Sequence, residues 1–182
     1  MTTDIIEKQK AFFEAGNTLD TRSRRAIIQI LANTVKDVCG DGPAANSFNS
    51  LAQDIRKHLY KWTGTGKLRM LLSLFARPST DGPVPYGTVL IDASGTETPE
   101  PALNALAYAL AAGNTAVVMV PDSPAGETVR RIVDETFTDD FVATVPAGTA
   151  DGYPADFVYT CGSSLPRLGY EGLMTFSKMY SE

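Results

Sequence analysis

Side chains able to act as a nucleophile, a general base or a soft metal ligand are scarce in this chain, which has two cysteines, Cys39 and Cys161, and one histidine, His58, in 182 residues. A cysteine attacks as its thiolate, which needs a histidine, lysine or arginine nearby to lower the pKa. None adjoins Cys161 in Thr160-Cys161-Gly162-Ser163. Its simplest role is that of a small buried residue at a strand end. The two cysteines are far apart, have no metal-ligand spacing and are too few for a disulfide framework, so no metal site is expected and a reducing, cytoplasmic compartment is. His58 sits in a segment with an apolar stripe and reads as a packed or surface residue. Oxygen-bearing groups gather in Asp92-Ala93-Ser94-Gly95-Thr96-Glu97. Together with Cys161 and Ser163, the groups Asp92, Ser94 and Glu97 would suit acid–base or nucleophilic chemistry without a redox step. The plainer role for that stretch is a strand-to-helix turn with Thr98 capping the helix.

Composition narrows the classes. Sixteen basic and twenty-one acidic residues leave a net charge of −5 with no basic stripe, so a phosphate-tracking nucleic-acid surface is not expected. The amino end, Met1 to Lys10, is polar, and the long apolar stretch from Ala102 to Val120 is interrupted by Gly113-Asn114, so no membrane segment is expected either. With 43% hydrophobic residues the chain has enough apolar surface for a single folded domain spanning 1–182.

The elements that would hold these groups follow from periodicity. Residues 1–66 read as helical: a short segment with Ile5, Ile6, Phe12 and Phe13 ends at Gly16-Asn17, and a second runs from Thr21 to Cys39-Gly40. Its expected buried face is Ile27, Ile30 or Leu31, Thr34 or Val35, and Val38. A third helix spans about Ala44 to Trp62 on Phe48, Leu51, Ile55 and Leu59. Residues 67–84 alternate at Leu68, Met70, Leu72 and Leu74 and read as an extended ribbon, with Tyr60, Trp62 and Phe75 as packing residues. The α/β core, 85–168, opens with a buried strand at Gly87–Ile91 and a helix from near Thr98-Pro99 to Gly113. Strands at Thr115–Val120, Phe141–Val145 and Phe157–Thr160 follow, with a helix at Pro124–Phe137 capped by Asp122 or Ser123. This order predicts a Rossmann-like parallel sheet flanked by helices, with an amino-terminal helical region, a ribbon and a tail at 169–182.

Three separated segments in this order, Pro85-Tyr86-Gly87-Thr88-Val89-Leu90-Ile91, Leu110-Ala111-Ala112-Gly113-Asn114-Thr115-Ala116-Val117-Val118-Met119 and Asp156-Phe157-Val158-Tyr159-Thr160, resemble the NAD-binding domain of aldehyde dehydrogenases, the class 3 branch above all. The amino end (Lys10-Ala11-Phe12-Phe13, Gly16, Thr21-Arg22-Ser23) and the carboxyl end (Gly169-Tyr170-Glu171-Gly172, Thr175-Phe176-Ser177-Lys178) resemble it too. The resemblance implies a relative with the catalytic domain missing between Ser163 and Gly169.

What it implies for chemistry is mostly loss. The Glu-Leu-Gly-Gly-Lys and Gly-Gln-x-Cys stretches that carry base and nucleophile in the family are not found, so no catalytic residue is assigned. The family's Trp-Asn-Tyr-Pro oxyanion stretch corresponds to Asp92–Glu97, where Ser94 and Thr96 remain as donors. Its Lys-Pro-Ser-Glu ribose motif corresponds to Val120-Pro121-Asp122-Ser123, leaving Asp122 as the acceptor. Its phosphate loop corresponds to Gly162-Ser163 followed by Ser164-Leu165-Pro166. Cofactor-binding candidates are thus Ser94, Thr96, Asp122, Gly162 and Ser163. No cofactor is expected, with NAD the one the resemblance leaves open. Three functions stand: a degenerate binding or regulatory module that takes a small molecule, a protein partner or a second copy on the exposed crevice; an enzyme repurposed for non-redox chemistry; or a minimal or split NAD-dependent aldehyde oxidoreductase.

Overall fold

The computed structural model describes residues 2–18, 20–62, 84–149, 154–162 and 169–178. The proposed ribbon through Leu68, Met70, Leu72 and Leu74, and Ser163, lie outside them. Three amino-terminal helices, α1 (Thr2–Glu14), α2 (Thr21–Cys39) and α3 (Pro43–Trp62), precede β1 (Val84–Pro85) and β2 (Thr88–Asp92). Then come α4 (Glu100–Ala112), β3 (Thr115–Val120), α5 (Pro124–Thr136), β4 (Val142–Pro146), β5 (Phe157–Thr160), α6 (Gly169–Thr175) and β6 (Ser177–Lys178).

Four strands pair in parallel in the order β4-β3-β2-β5. Val89 lies opposite Ala116 on one side and Phe157 on the other. The chain moves from β2 outward to β3 and β4 through α4 and α5, then returns past β2 to form β5. That reversal of strand order is the hallmark of a Rossmann-like sheet, and it marks the carboxyl ends of β2 and β5 as the place where open parallel sheets form their ligand crevice.

Side chains alternate between the two faces. Val89, Ile91, Ala116, Val118, Val120 and Val142 join the main core with α2, α3, α4 and α5, whereas Leu90, Val117, Met119 and Val145 form a smaller cluster against Ile5 of α1. Having both crossover helices on one face is what successive crossovers of the same hand produce. The central strand β3 is buried at all six positions, as a strand covered on both faces must be. Val158 of the edge strand β5 is 54% exposed on the less covered face.

Helix ends follow their local chemistry. The Asp20 carboxylate caps α2 by accepting the Ser23 N–H at 3.0 Å, and the Ser123 hydroxyl accepts the Gly126 N–H at 3.3 Å to start α5. Ser123, rather than Asp122, is therefore the cap. Thr98 does not cap α4, because that helix begins two residues later, behind Pro99 in a helical conformation with no side-chain cap. On α2 the structure picks Leu31 over Ile30 and Val35 over Thr34, keeps Ile27 and Val38 partly buried against the core, and adds Ile28 and Ala32 to the buried face, while Ile30 is 51% exposed. Ile27, Ile28, Ile30 and Leu31 form a nearly continuous apolar run, so three- and four-residue spacing alone fits two neighbouring faces.

The strand bottoms are tied together by one amide. Gly113 ends α4 in the left-handed conformation, φ 97°, and a Cβ there would collide with the Arg24 guanidinium. Arg24 in turn donates through Nη1 to the Ala112 carbonyl at 3.2 Å and through Nε to the Thr18 carbonyl at 2.6 Å, placing a cation at the carboxyl end of α4. The next residue, Asn114, is fully buried. Its Nδ2 donates to the Ala109 carbonyl at 3.0 Å and the Phe176 carbonyl at 2.9 Å, and its Oδ1 accepts the Gly87 N–H at 3.1 Å. Asp156 completes the joint by accepting the Thr88 N–H at 2.9 Å, where a Cβ on Gly87 would strike its carboxylate. Tyr86 stacks on Phe157 with centroids 4.4 Å apart, and Phe157 meets Phe176 edge-on at 5.9 Å. β6 then pairs antiparallel with β1, Pro85 opposite Ser177.

Asn114→Ala would take the side-chain partner from the Gly87 N–H and the Phe176 carbonyl, while the Ala109 carbonyl keeps the backbone N–H of residue 114 at 3.1 Å, a cost of about 3 kcal/mol. Urea unfolding should show that loss at unchanged m-value. A change below about 1 kcal/mol would mean the joint closes without the amide.

Candidate crevice at the carboxyl ends of β2 and β5

Parallel pairing brings together two segments almost seventy residues apart. Asp92 lies opposite Thr160, and the Cys161 N–H donates to the Asp92 carbonyl at 2.7 Å. The crevice mouth is therefore built from the Asp92–Glu97 turn on one side and Thr160, Cys161 and Gly162 on the other. Asp92, Ser94 and Cys161, singled out for their chemistry, do converge here. Asp122 is exposed in the bend after β3, the strand adjoining β2, while Glu97 is exposed in the turn itself. His58 lies on α3, which packs on α2, α4 and α6.

The polar groups of the turn are engaged with one another. Asp92 Oδ1 accepts the Ser94 N–H at 3.0 Å and the Ser94 hydroxyl at 2.6 Å, while the Thr96 hydroxyl donates to the Ala93 carbonyl at 2.8 Å. These bonds stabilise a tight Asx-type turn and hold the protons that an oxyanion would require. Among the donors the sequence pointed to, Ser94 is thus committed to the Asp92 carboxylate and Thr96 to the Ala93 carbonyl. Gly162 is exposed, and its φ of 123° lies in the region that favours glycine.

Cys161 is 8% exposed. Burial, and secondarily the negative charge of Asp92, push its thiol up to about 12. Both causes oppose the thiolate, the reverse of what a nucleophilic cysteine needs. Cys39, half-buried at the end of α2, is also shifted upward by burial and by Glu100. Among the described residues no group of three histidine, cysteine, aspartate or glutamate side chains is placed to hold a metal ion, and no helix is long and apolar enough to cross a membrane.

What sequence reasoning missed is the pairing of Asp92 with Cys161. Each residue carries a recognisable chemistry alone, but their contact arises from the register of β2 with β5. A parallel register spanning a crossover leaves no local trace in either segment.

Two measurements follow from the thiol. Cys161 should alkylate with iodoacetamide at pH 8 at least about a hundredfold more slowly than in the urea-unfolded chain, and Asp92→Asn should speed it. Equal rates in folded and unfolded chains would remove the burial argument. Because the folded pKa lies above the ordinary value of 9.0, the protonated thiol favours folding below pH 9, and that contribution is lost as pH rises toward 12. Cys161→Ala should therefore flatten the alkaline limb of the stability curve.

No protein-family model matches the chain. A curated 4,4'-diaponeurosporen-aldehyde dehydrogenase of Staphylococcus aureus is similar to it, 29% identical over 190 aligned positions that take in 88% of this chain. The chain spans 41% of the length of that relative. Among solved structures, the substrate-bound state of Staphylococcus aureus AldH superposes with a TM-score of 0.59 at 24% identity, over 81% of this chain and 36% of that one. These likenesses lead to one conclusion: this chain is homologous to an aldehyde dehydrogenase over most of its own length and shares the fold of the matched part.

Proposed function

We propose that this chain is an aldehyde-dehydrogenase-like domain of the NAD-binding type that acts as a binding or regulatory module and does not itself oxidise aldehydes. The observation that carries this reading is the state of Cys161. It is the one cysteine at the crevice, and it is buried beside a carboxylate with its thiol raised to about 12. Aldehyde oxidation by covalent catalysis needs an activated thiol, a base for the second step and preorganised oxyanion donors. The Glu-Leu-Gly-Gly-Lys and Gly-Gln-x-Cys stretches do not occur in the 182 residues, and the Ser94 and Thr96 hydroxyls donate within their own turn.

On this reading the crevice between β2 and β5 is the binding face, since open parallel sheets take ligands where the strand order reverses. Its occupant is a small molecule, a protein partner or a second copy that complements the exposed Val158 edge. A second reading, a minimal or split NAD-dependent aldehyde oxidoreductase, draws on the retained strand order and on the name of the Staphylococcus aureus relative. In it, Asp122 would meet a ribose and Gly162, with Ser163, a phosphate.

The two readings separate in solution. The module should produce no NADH from NAD and a panel of aliphatic and aromatic aldehydes, and NAD at about 5 mM should leave its melting temperature unchanged. Saturable calorimetric binding of NAD, lost in Asp122→Arg, would transfer the conclusion to the oxidoreductase. For the module itself, a thermal-shift hit that stabilises the wild type but not Ser94→Trp would place its ligand at the crevice mouth.

A further inference from the structure

A second concavity lies at the opposite end of the sheet from the crevice, where the amino end of β4 meets the carboxyl ends of α1 and α5. It encloses about 460 Å³, within the range of roughly 300–1,000 Å³ typical of small-molecule sites. Its apolar lining comes from three aromatic rings and two isoleucines, with Asn17, Thr136 and Thr138 beside them. Phe12 and Phe141 have ring centroids 5.2 Å apart, Phe137 meets Phe141 edge-on at 5.6 Å, and Ile27 and Ile30 of α2 close the other side. Ile30 is one of two large hydrophobic residues left exposed among the described residues, and it opens onto this cleft.

The rim has the opposite character. A helix carboxyl end carries partial negative charge and is usually met by lysine or arginine. The last turn of α5 has no basic residue and instead bears Asp134 and Glu135, both on the cleft. Glu135 accepts from Arg131 Nε at 2.8 Å. Asp134 makes no hydrogen bond or ion pair among the described residues, and Arg130, the cation acting on it, is held by Glu127 at 2.6 Å. Burial and Asp139 raise the Asp134 carboxyl above its ordinary range, so its charge lacks a full counterpart in the free protein.

An aromatic wall below an uncompensated negative rim selects one ligand chemistry. An anion would be repelled by Asp134 and the end of α5. A neutral apolar molecule would cover the carboxylate without pairing it. We propose that this cleft binds an amphipathic organic cation, an ammonium on an aromatic or branched alkyl body, with the body against Phe12, Phe141 and Ile30 and the ammonium at Asp134 and the carboxyl end of α5. The phenyl faces add cation–π attraction to the same charge. The inference does not depend on the function assigned to the crevice, because the two sites share no residue.

Three probes of one size test it by calorimetric titration of the full chain: 2-phenylethylammonium, 2-phenylethanol and 3-phenylpropanoate. The cation should saturate a single site, with the alcohol at least about tenfold weaker and the carboxylate silent up to about 10 mM. Asp134→Asn should weaken the cation by about tenfold, and Ile30→Lys, at an exposed position that puts a competing ammonium over the cleft, should abolish its binding with the melting temperature held within a few degrees. Equal affinity for cation and alcohol, or cation binding untouched by both substitutions, would overturn the proposal. So would a concentration-dependent self-association that Ile30→Lys dissolves while no cation binds, since the cleft would then belong to a second copy.

Discussion

A single buried amide, Asn114, closes the lower end of this fold. Its three hydrogen bonds reach the turn before β2, the last turn of α4 and the backbone at Phe176, places 27, 5 and 62 residues away. A buried amide with partners on three sides has one acceptable orientation, so the elements that supply those partners are fixed relative to one another. Gly113 is needed beside it because the chain must turn through the left-handed region with the Arg24 guanidinium packed against its α-carbon. Removing the amide would take a partner from the Gly87 N–H and the Phe176 carbonyl at once, which couples the two places.

This joint gathers several of the segments that carry the resemblance to aldehyde dehydrogenases. Pro85-Tyr86-Gly87, Gly113-Asn114, Asp156-Phe157 and Phe176-Ser177 all meet at the amino ends of the strands, where they bond or stack on one another. They serve the architecture. The opposite end of the same sheet, where such folds carry out their chemistry, holds a self-satisfied turn and a buried thiol. One sheet thus has two ends under different constraints. The lower end must satisfy buried polar groups whatever the protein does, while the upper end meets solvent and is free to change with function.

Charge is distributed along the same division. The carboxyl end of α4 is buried and receives Arg24, but the carboxyl end of α5 faces an open cleft and carries acids. An internal helix end requires a compensating group from its own chain. An end that opens on solvent can be left negative at small cost, and is then available to a cation from outside.

Much of the fold was legible in the sequence. The buried strands stood out as short apolar runs between turn signals, so β3 at Thr115–Val120 and β5 at Phe157–Thr160 lie where periodicity put them, and Gly40 and Gly113 end the helices they were expected to end. Where two local readings competed, packing decided. Leu31 rather than Ile30 is buried in the core, and Ser123 rather than Asp122 caps α5, because the neighbouring elements pick one of two faces or capping oxygens that the chain offers equally. The candidate groups Asp92, Ser94, Thr96 and Cys161 were visible as residue types, but their state was not. Whether a hydroxyl is free or a thiol reactive depends on what lies within a few ångströms, and β2 and β5 come into register only after the chain has crossed the sheet. The period of the apolar residues and the turn chemistry thus set the order of α1 to α5 and of the four parallel strands, but not α6, β6 or the pairing of β6 with β1. Packing alone buries Cys161 beside Asp92 and brings Phe12, Ile30 and Asp134 to one cleft, since burial and electrostatics are properties of neighbours and not of residues.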